Sequence, residues 1–183
     1  MPKISTYTTV TPTDSDLILI TDASDSSNTR NVTVASLRSA LSLAYSEIYD
    51  SIPGEDTTAG ATPVKLTVTT TQGEISASAG LQQNGLGRIT NTGQSRVFAI
   101  TYSVSIAAPN NNNVEFSLAK SGTVIPHSQT DSITGGVNRG VSVSNTIITT
   151  LNTGQYVEVY IAHPGGGTLS CELRHLNLVL RQV

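Results

Sequence analysis

The chain has no tryptophan, one cysteine and one methionine in 183 residues, and only 4% of it is aromatic. A single cysteine excludes an intrachain disulfide framework and a zinc site built from several thiolates. Charge is scarce as well: Asp, Glu, Lys and Arg make up 13% of the chain, about half the roughly 25% of an ordinary globular domain. A net charge of −3 and a pI near 5.5 leave no basic footprint for nucleic acid. So low a charge density also argues against a highly charged disordered tail. Long hydrophobic runs are missing. Leu17–Ile20, the longest early one, falls far short of the roughly 20 residues that span a bilayer. The first residues, Met-Pro-Lys-Ile-Ser-Thr-Tyr, hold no apolar signal-peptide core. These absences predict a soluble protein that is neither inserted in a membrane nor exported by a standard signal.

What the chain does have is hydroxyl. Thr occurs 26 times and Ser 22 times, and this content, with Val, Ile and Gly, suits short β-strands joined by tight turns. Residues 1–16 are polar, contain Pro2 and Pro12, and read as an extended arm. Leu17-Ile18-Leu19-Ile20 lies between Asp16 and Asp22 and predicts a strand. The Asp, Ser and Asn of 22–30 are turn chemistry, so Asn31–Val34 returns as the second strand of a hairpin. Then the period changes. Val34, Leu37, Leu41, Ala44 and Ile48 recur at intervals of 3, 4, 3 and 4, which predicts one face of a helix, stopped by Pro53-Gly54. Residues 1–50 thus read as an arm and a strand-strand-helix module, and 51–63, with Pro53, Gly54, Gly60 and Pro63, as a linker.

From Val64 to Val183 the pattern is β throughout. In Arg96–Ile106, Phe98, Ile100, Tyr102, Val104 and Ile106 share one face, and Ala99, Thr101, Ser103 and Ser105 the other. A strict period of two marks a half-buried antiparallel strand. Val114, Phe116 and Leu118 alternate similarly up to a Lys120-Ser121-Gly122 turn, as do Val157, Val159 and Ile161 after Asn152-Thr153-Gly154. Many short strands with frequent turn signals predict an antiparallel sandwich, so the fold class is mainly β. The last strand is unusual: Leu169, Cys171 and Leu173 occupy one parity, and Leu176, Leu178 and Leu180 the other. Either a β-bulge near Arg174-His175 restores one face, or the strand end is buried on both faces. The two are compatible.

Motifs for chemistry are few. His127, His163 and His175 stand at no metal-ligand spacing and read as structural. Cys171 alternates with Leu169 and Leu173 and reads as a small core hydrophobe. There is no nucleophile elbow, Walker loop or dinucleotide fingerprint. Gly165-Gly166-Gly167 precedes a strand, not a helix, and cannot cradle phosphate at a helix N-terminus. Asp22, Ser24 and Ser26 imitate the opening of a calcium loop, but Ser27 and Thr33 stand where its Gly and Glu belong. No enzymatic activity and no cofactor or metal is expected.

Two stretches carry resemblances. Ser15–Leu43, through Ser-Asp-Leu-Ile-Leu-Ile-Thr-Asp-Ala-Ser and Asn-Val-Thr-Val-Ala-Ser-Leu-Arg-Ser-Ala-Leu, resembles the small N-terminal module of tailed-bacteriophage structural proteins. From Val64 to Val183 the chain resembles phage jelly-roll domains of the tumour-necrosis-factor and complement-head type. The matching stretches are Phe116-Ser-Leu-Ala-Lys-Ser-Gly-Thr-Val-Ile-Pro-His-Ser, Leu151-Asn-Thr-Gly-Gln-Tyr-Val-Glu-Val-Tyr-Ile and His175-Leu-Asn-Leu-Val-Leu. Ser121 and Gln155 depart from the pattern, but Gly122 and Gly154 keep its turns.

The resemblance implies a jelly-roll sandwich that forms a homotrimer with its inner sheet at the interface, where Leu176, Leu178 and Leu180 are expected. It further implies a virion structural protein, made in the host cytoplasm and placed on the outer capsid surface. The chain has no heptads or repeats for a fibre shaft, which favours a capsid decoration (cement) protein over a head or tail fibre binding a receptor or glycan. Its partners are then further copies of itself and the major capsid protein, with a host surface glycan or receptor as a further candidate for the distal loops at 109–113 and 133–139. Leu17, Ile18, Leu19, Ile20, Leu37 and Leu41 are the expected capsid anchor, with one parity of the strand packing on the helix.

Overall fold

The computed structural model describes residues 11–22, 28–41, 43–50, 54–68, 72–75, 80–84, 86–109, 111–135 and 140–183. Most of the expected arm (1–10), the hairpin tip (23–27) and parts of both distal loops (110 and 136–139) lie outside them. The chain divides into two compact units, Met1–Ser42 and Leu43–Val183.

In the first unit, β1 (Leu17–Asp22) and β2 (Asn28–Thr33) form an antiparallel hairpin in register from Leu17↔Thr33 to Asp22↔Asn28. Helix α1 (Val34–Leu41) follows at once. Thr33 caps it, its Oγ1 accepting from the Ser36 amide at 3.0 Å. The Val34 amide donates to the Asp16 carbonyl at 2.9 Å, which ties the base of the hairpin.

The helix ends earlier than its apolar spacing predicts, and Ala44 and Ile48 belong to the second unit. Ala44 leads into β3 (Tyr45–Asp50), in which Ser46, Ile48 and Asp50 point inward while Tyr45, Glu47 and Tyr49 point outward. An interval of four residues fits a helix and also two steps of a strand. Pairing with the last strand decided between them, and polar Ser46 and Asp50 at inward positions had hidden the alternation. The expected linker is corrected likewise. Within 51–63, β4 (Glu55–Ala59) pairs with the last strand, so the sandwich begins near Leu43 rather than Val64.

The remaining strands are β5 (Val64–Lys65), β6 (Gln72–Ile75), β7 (Leu81–Gln83), β8 (Ile89–Asn91), β9 (Arg96–Ala107), β10 (Asn113–Lys120), β11 (Thr123–Val124), β12 (Thr130–Ile133), β13 (Gly140–Leu151), β14 (Tyr156–Ala162) and β15 (Leu169–Gln182). One sheet has the order β11-β10-β14-β8-β7, with β12 also on β10 and β5 also on β14. The other has the order β13-β9-β15-β3-β6, with β4 also on β15. Every pairing is antiparallel. The inward parities meet between the sheets. Phe98, Ile100, Tyr102, Val104 and Ile106 of β9 face a core shared with Val114, Phe116 and Leu118 of β10 and Val157, Val159 and Ile161 of β14. Full burial of each large aliphatic or aromatic side chain stabilises the fold by roughly 1.5–3 kcal/mol.

The bulge expected in the last strand is present: the register of β15 against β9 shifts between Leu173 and His175. It turns Leu176, Leu178 and Leu180 onto the same inner face as Leu169, Cys171 and Leu173, and all six are buried within the single chain. The leucines therefore fill the sandwich core and are not an intermolecular surface. The side chains that alternate with them, His175, Asn177, Val179 and Arg181, face outward.

One polar group sits deep in this core. The Tyr102 hydroxyl donates to the Ser128 carbonyl at 3.0 Å, with Thr130 Oγ1 at 3.2 Å, and Asn145 Nδ2 reaches the same two acceptors. Burial is the main cause that raises its pKa above 10.0. The folded state then holds a proton that the unfolded chain releases. This contribution to stability is complete below pH 10 and lost as pH rises through the raised value. Urea unfolding midpoints should fall as pH goes from 8 to 11, and Tyr102→Phe should make that fall shallower. An equal slope in both proteins would exclude this account.

Candidate functional site

Two exposed surfaces stand out, one in each unit. The first is the hairpin. Side chains along a strand alternate between faces, so a two-stranded ribbon can cover at most one apolar parity with its own helix. The two parities differ: Leu17 and Leu19 are 62% and 71% exposed, whereas Ile18 and Ile20, at 37% and 39%, are the more covered pair. Leu37 is half-buried, and the side chain of Leu41 lies outside the described residues. Leu17 and Leu19 are thus the more open pair, and the expected packing of one strand parity on Leu41 falls on a side chain outside the described residues. Four consecutive exposed aliphatic side chains are the kind of patch that marks a contact surface.

The second surface is the outward face of the sheet β13-β9-β15-β3. Strand register arranges it in rows. Ile148, Ala99, Arg181 and Tyr45 lie side by side. Next come Thr146, Thr101, Val179 and Glu47, and after them Ser144, Ser103, Asn177 and Tyr49. The middle of the face is small and hydroxylated; its edge carries the tyrosines. Tyr45, Ala99, Thr101, Thr146, Val179 and Arg181 line a shallow depression of about 390 Å³. Five of the polar side chains here bond within the face. Thr101 and Thr146 hydroxyls are 2.8 Å apart, while Glu47 accepts from Tyr45 Oη at 2.8 Å and from Asn177 Nδ2 at 2.6 Å. The Glu47 hydrogen bond is the first cause that raises the Tyr45 pKa. The bonded groups Thr101, Thr146, Tyr45, Glu47 and Asn177 can be covered at a smaller desolvation cost than unpaired ones. Sequence reading missed Tyr45, Glu47 and Tyr49 because their segment fitted a helical spacing. The signal that identifies them is the alternation of buried 44, 46, 48 and 50 with outward 45, 47 and 49.

The chemistry-bearing residues are dispersed. Cys171 is buried, and burial, assisted by the Asp56 charge, pushes its thiol up to about 11, which makes it a core side chain and a poor nucleophile. His163 is buried beside the Gly165 turn. Among the described residues no three His, Cys, Asp or Glu side chains gather as a metal site, and no helix is long and apolar enough to cross a membrane.

With this geometry in place, comparison with solved structures is informative. The globular domain of zebrafish complement 1qA protein superposes with a TM-score of 0.52 at 12% identity, over 78% of this chain and 97% of that one. The Eiger TNF of S. frugiperda gives 0.51 at 7% identity, over 76% and 94%. The fold is a jelly roll of the TNF and complement type. The PRD1 vertex protein P5 is similar at a TM-score of 0.47, with 10% identity over 76% of this chain and 96% of that one, a likeness too loose to bear on function. No protein-family model matches the sequence, and no curated protein matches it. In this jelly roll the long strands β9, β13 and β15 form one broad sheet, and its outward face is the second surface described above. The exposed hairpin lies in the other unit, outside the sandwich fold.

Proposed function

We propose that this chain is a non-enzymatic capsid decoration protein. It assembles as a homotrimer through the outward face of β13-β9-β15-β3 and anchors to the major capsid protein through the hairpin unit. The observation that carries the reading is the exposure of Leu17, Ile18, Leu19 and Ile20 on both faces of a hairpin separate from the sandwich core. The resemblance of Ser15–Leu43 to phage modules supplies the partner, and the internally paired face around Thr101 and Val179 suits contact with further copies. In a ring of three, one copy's patch meets a different patch on the next and the rotation closes.

The mechanism is physical. A hairpin that buries its aliphatics in a capsid groove, or pairs its open edge with a capsid strand, is a weak anchor alone. Three anchors on one trimer reinforce each other by roughly 10²–10⁴-fold when their spacing matches the lattice. Binding only the mature lattice stabilises it by linkage, about 2.7–4.1 kcal/mol per site when free protein exceeds its dissociation constant 100- to 1,000-fold. Purified protein added to expanded capsids that lack it should co-sediment with them and raise their rupture temperature. Binding to tails or host cells with none to capsids would reject the proposal.

A further inference from the structure

The opposite sheet carries a polar cluster that neither self-association nor capsid anchoring uses. On the outward parity of β14, Tyr156, Glu158 and Tyr160 follow one another. The Glu158 side chain is 2% exposed, yet it holds a charge partner on each of two segments beside β14. Lys65 Nζ lies 2.8 Å from Oε1, and Arg88 reaches the same oxygen through Nη2 at 2.9 Å and Nε at 3.0 Å. The Arg88 guanidinium also stacks on Tyr156, 3.8 Å from the ring centroid. On the other side of β14, Ser117 pairs with Tyr160 and Ala119 with Glu158, and both small side chains are buried. Both tyrosine hydroxyls converge on the turn at Gly122, where a Cβ would lie 3.8 and 4.0 Å from them.

A buried ion pair is weak evidence for a stabilising role. Replacing a buried ion pair by apolar side chains of similar volume is often neutral or stabilising. Only 13% of the chain is charged, yet three charged side chains meet here beside two tyrosines. Tyr and Arg are the side chains that binding sites favour, because they present wide amphipathic surfaces at small entropic cost. The cluster is already organised: Arg88 is held by both its ion pair and its stacking, so a ligand need not order it. Lys65 and Arg88 against Glu158 leave one net positive charge, too little to select a phosphate. No large aliphatic side chain is exposed within the cluster itself to grip an apolar peptide. What remains is half-exposed aromatic rings amid donors and acceptors: two phenol hydroxyls, a guanidinium and an ammonium.

We infer that this face binds a hexopyranose unit of an oligosaccharide. The apolar face of the sugar ring lies on Tyr160, and its hydroxyls bond to Arg88, Lys65 and the tyrosine hydroxyls, with Glu158 holding both cations in place from beneath. The inference does not depend on the capsid role. The test presents the full chain to an array of hexose, hexosamine and uronic-acid oligosaccharides, followed by titration calorimetry on each hit. Saturable binding is expected. Tyr160→Ala and Arg88→Gln should each weaken it about tenfold, the scale of one lost aromatic or charge-assisted contact. Tyr160→Phe keeps the ring and the packing and should weaken it about threefold. Ile133→Ser, at an exposed position at the start of a distal loop, should leave it unchanged. No hit on the array overturns the inference, as does binding lost in Ile133→Ser but kept in Tyr160→Ala and Tyr160→Phe.

Discussion

A chain beginning at Leu43 is expected to fold and to lose its hold on the capsid. Every buried hydrophobic side chain of the sandwich lies at or beyond Ala44. The truncated chain would keep the contacts that close its first strand, from the Gln182 amide to the Ala44 carbonyl at 2.8 Å and from the Ala44 amide to Gln182 Oε1 at 3.1 Å. What it loses is the hairpin and its four exposed aliphatics. If the anchor is trivalent, losing all three hairpins removes both the single-site affinity and the avidity of roughly 10²–10⁴-fold, so attachment should become undetectable by co-sedimentation. A lesser substitution grades the effect. Leu17→Ser with Leu19→Ser strips one face of the ribbon and should weaken attachment, with no change in the sandwich's unfolding midpoint. Full capsid binding by the truncated chain would move the anchor to the sandwich and reject the proposed role of the hairpin.

Val179→Arg is expected to convert the trimer to a monomer. Val179 stands in the middle of the outward face, paired with Thr101 on β9 and Glu47 on β3. In the single chain its side chain points away from the core, so the substitution should leave the fold intact. In the trimer, three bulky guanidinium groups would be forced among the small side chains of this face, each also competing with Tyr45 and Asn177 for Glu47. Overpacking costs typically about 1–3 kcal/mol at each site, enough over three copies to abolish an interface of ordinary affinity. Native mass measurement or light scattering reads the result directly. Leu178→Ala is the contrasting variant. Leu178 is fully buried in the core, so its truncation should cost about 2–5 kcal/mol of fold stability while the protein that remains folded still trimerises. A Val179→Arg protein that stays trimeric would exclude this face as the interface.

The leucines of the last strand show how far periodicity reaches. A change of parity between Leu173 and Leu176 has two readings, a bulge or a strand buried on both sides, and the residues alone do not separate them. The pairing of β15 with β9 does, because its register shifts by one residue between Leu173 and His175. Once the bulge is in place, Leu176, Leu178 and Leu180 go inward, and the self-association surface proposed above falls to Asn177, Val179 and Arg181. The segment 44–50 failed for a related reason. Its hydrophobics at 44 and 48 obey helix and strand spacing equally, and only the open edge of β15 makes it a strand. The exposed ribbon was half legible. The aliphatic run was evident, but that Leu17 and Leu19 are its more open parity shows only in the fold.

Other parts needed no structure. The strict alternation of Phe98–Ile106, the Ser121-Gly122 and Thr153-Gly154 turns and the scarcity of charge point to an antiparallel sandwich, because a period of two allows one inner face and turn residues set where it reverses. The cluster at Glu158 was invisible in the same sequence. Lys65, Arg88 and Glu158 are far apart along the chain, and only strand order brings them to one oxygen. Local pattern determined which face of each strand avoids water, since that is a property of neighbouring residues. Tertiary structure decided which outward faces lie side by side, since register and strand order arise from pairings across the whole chain.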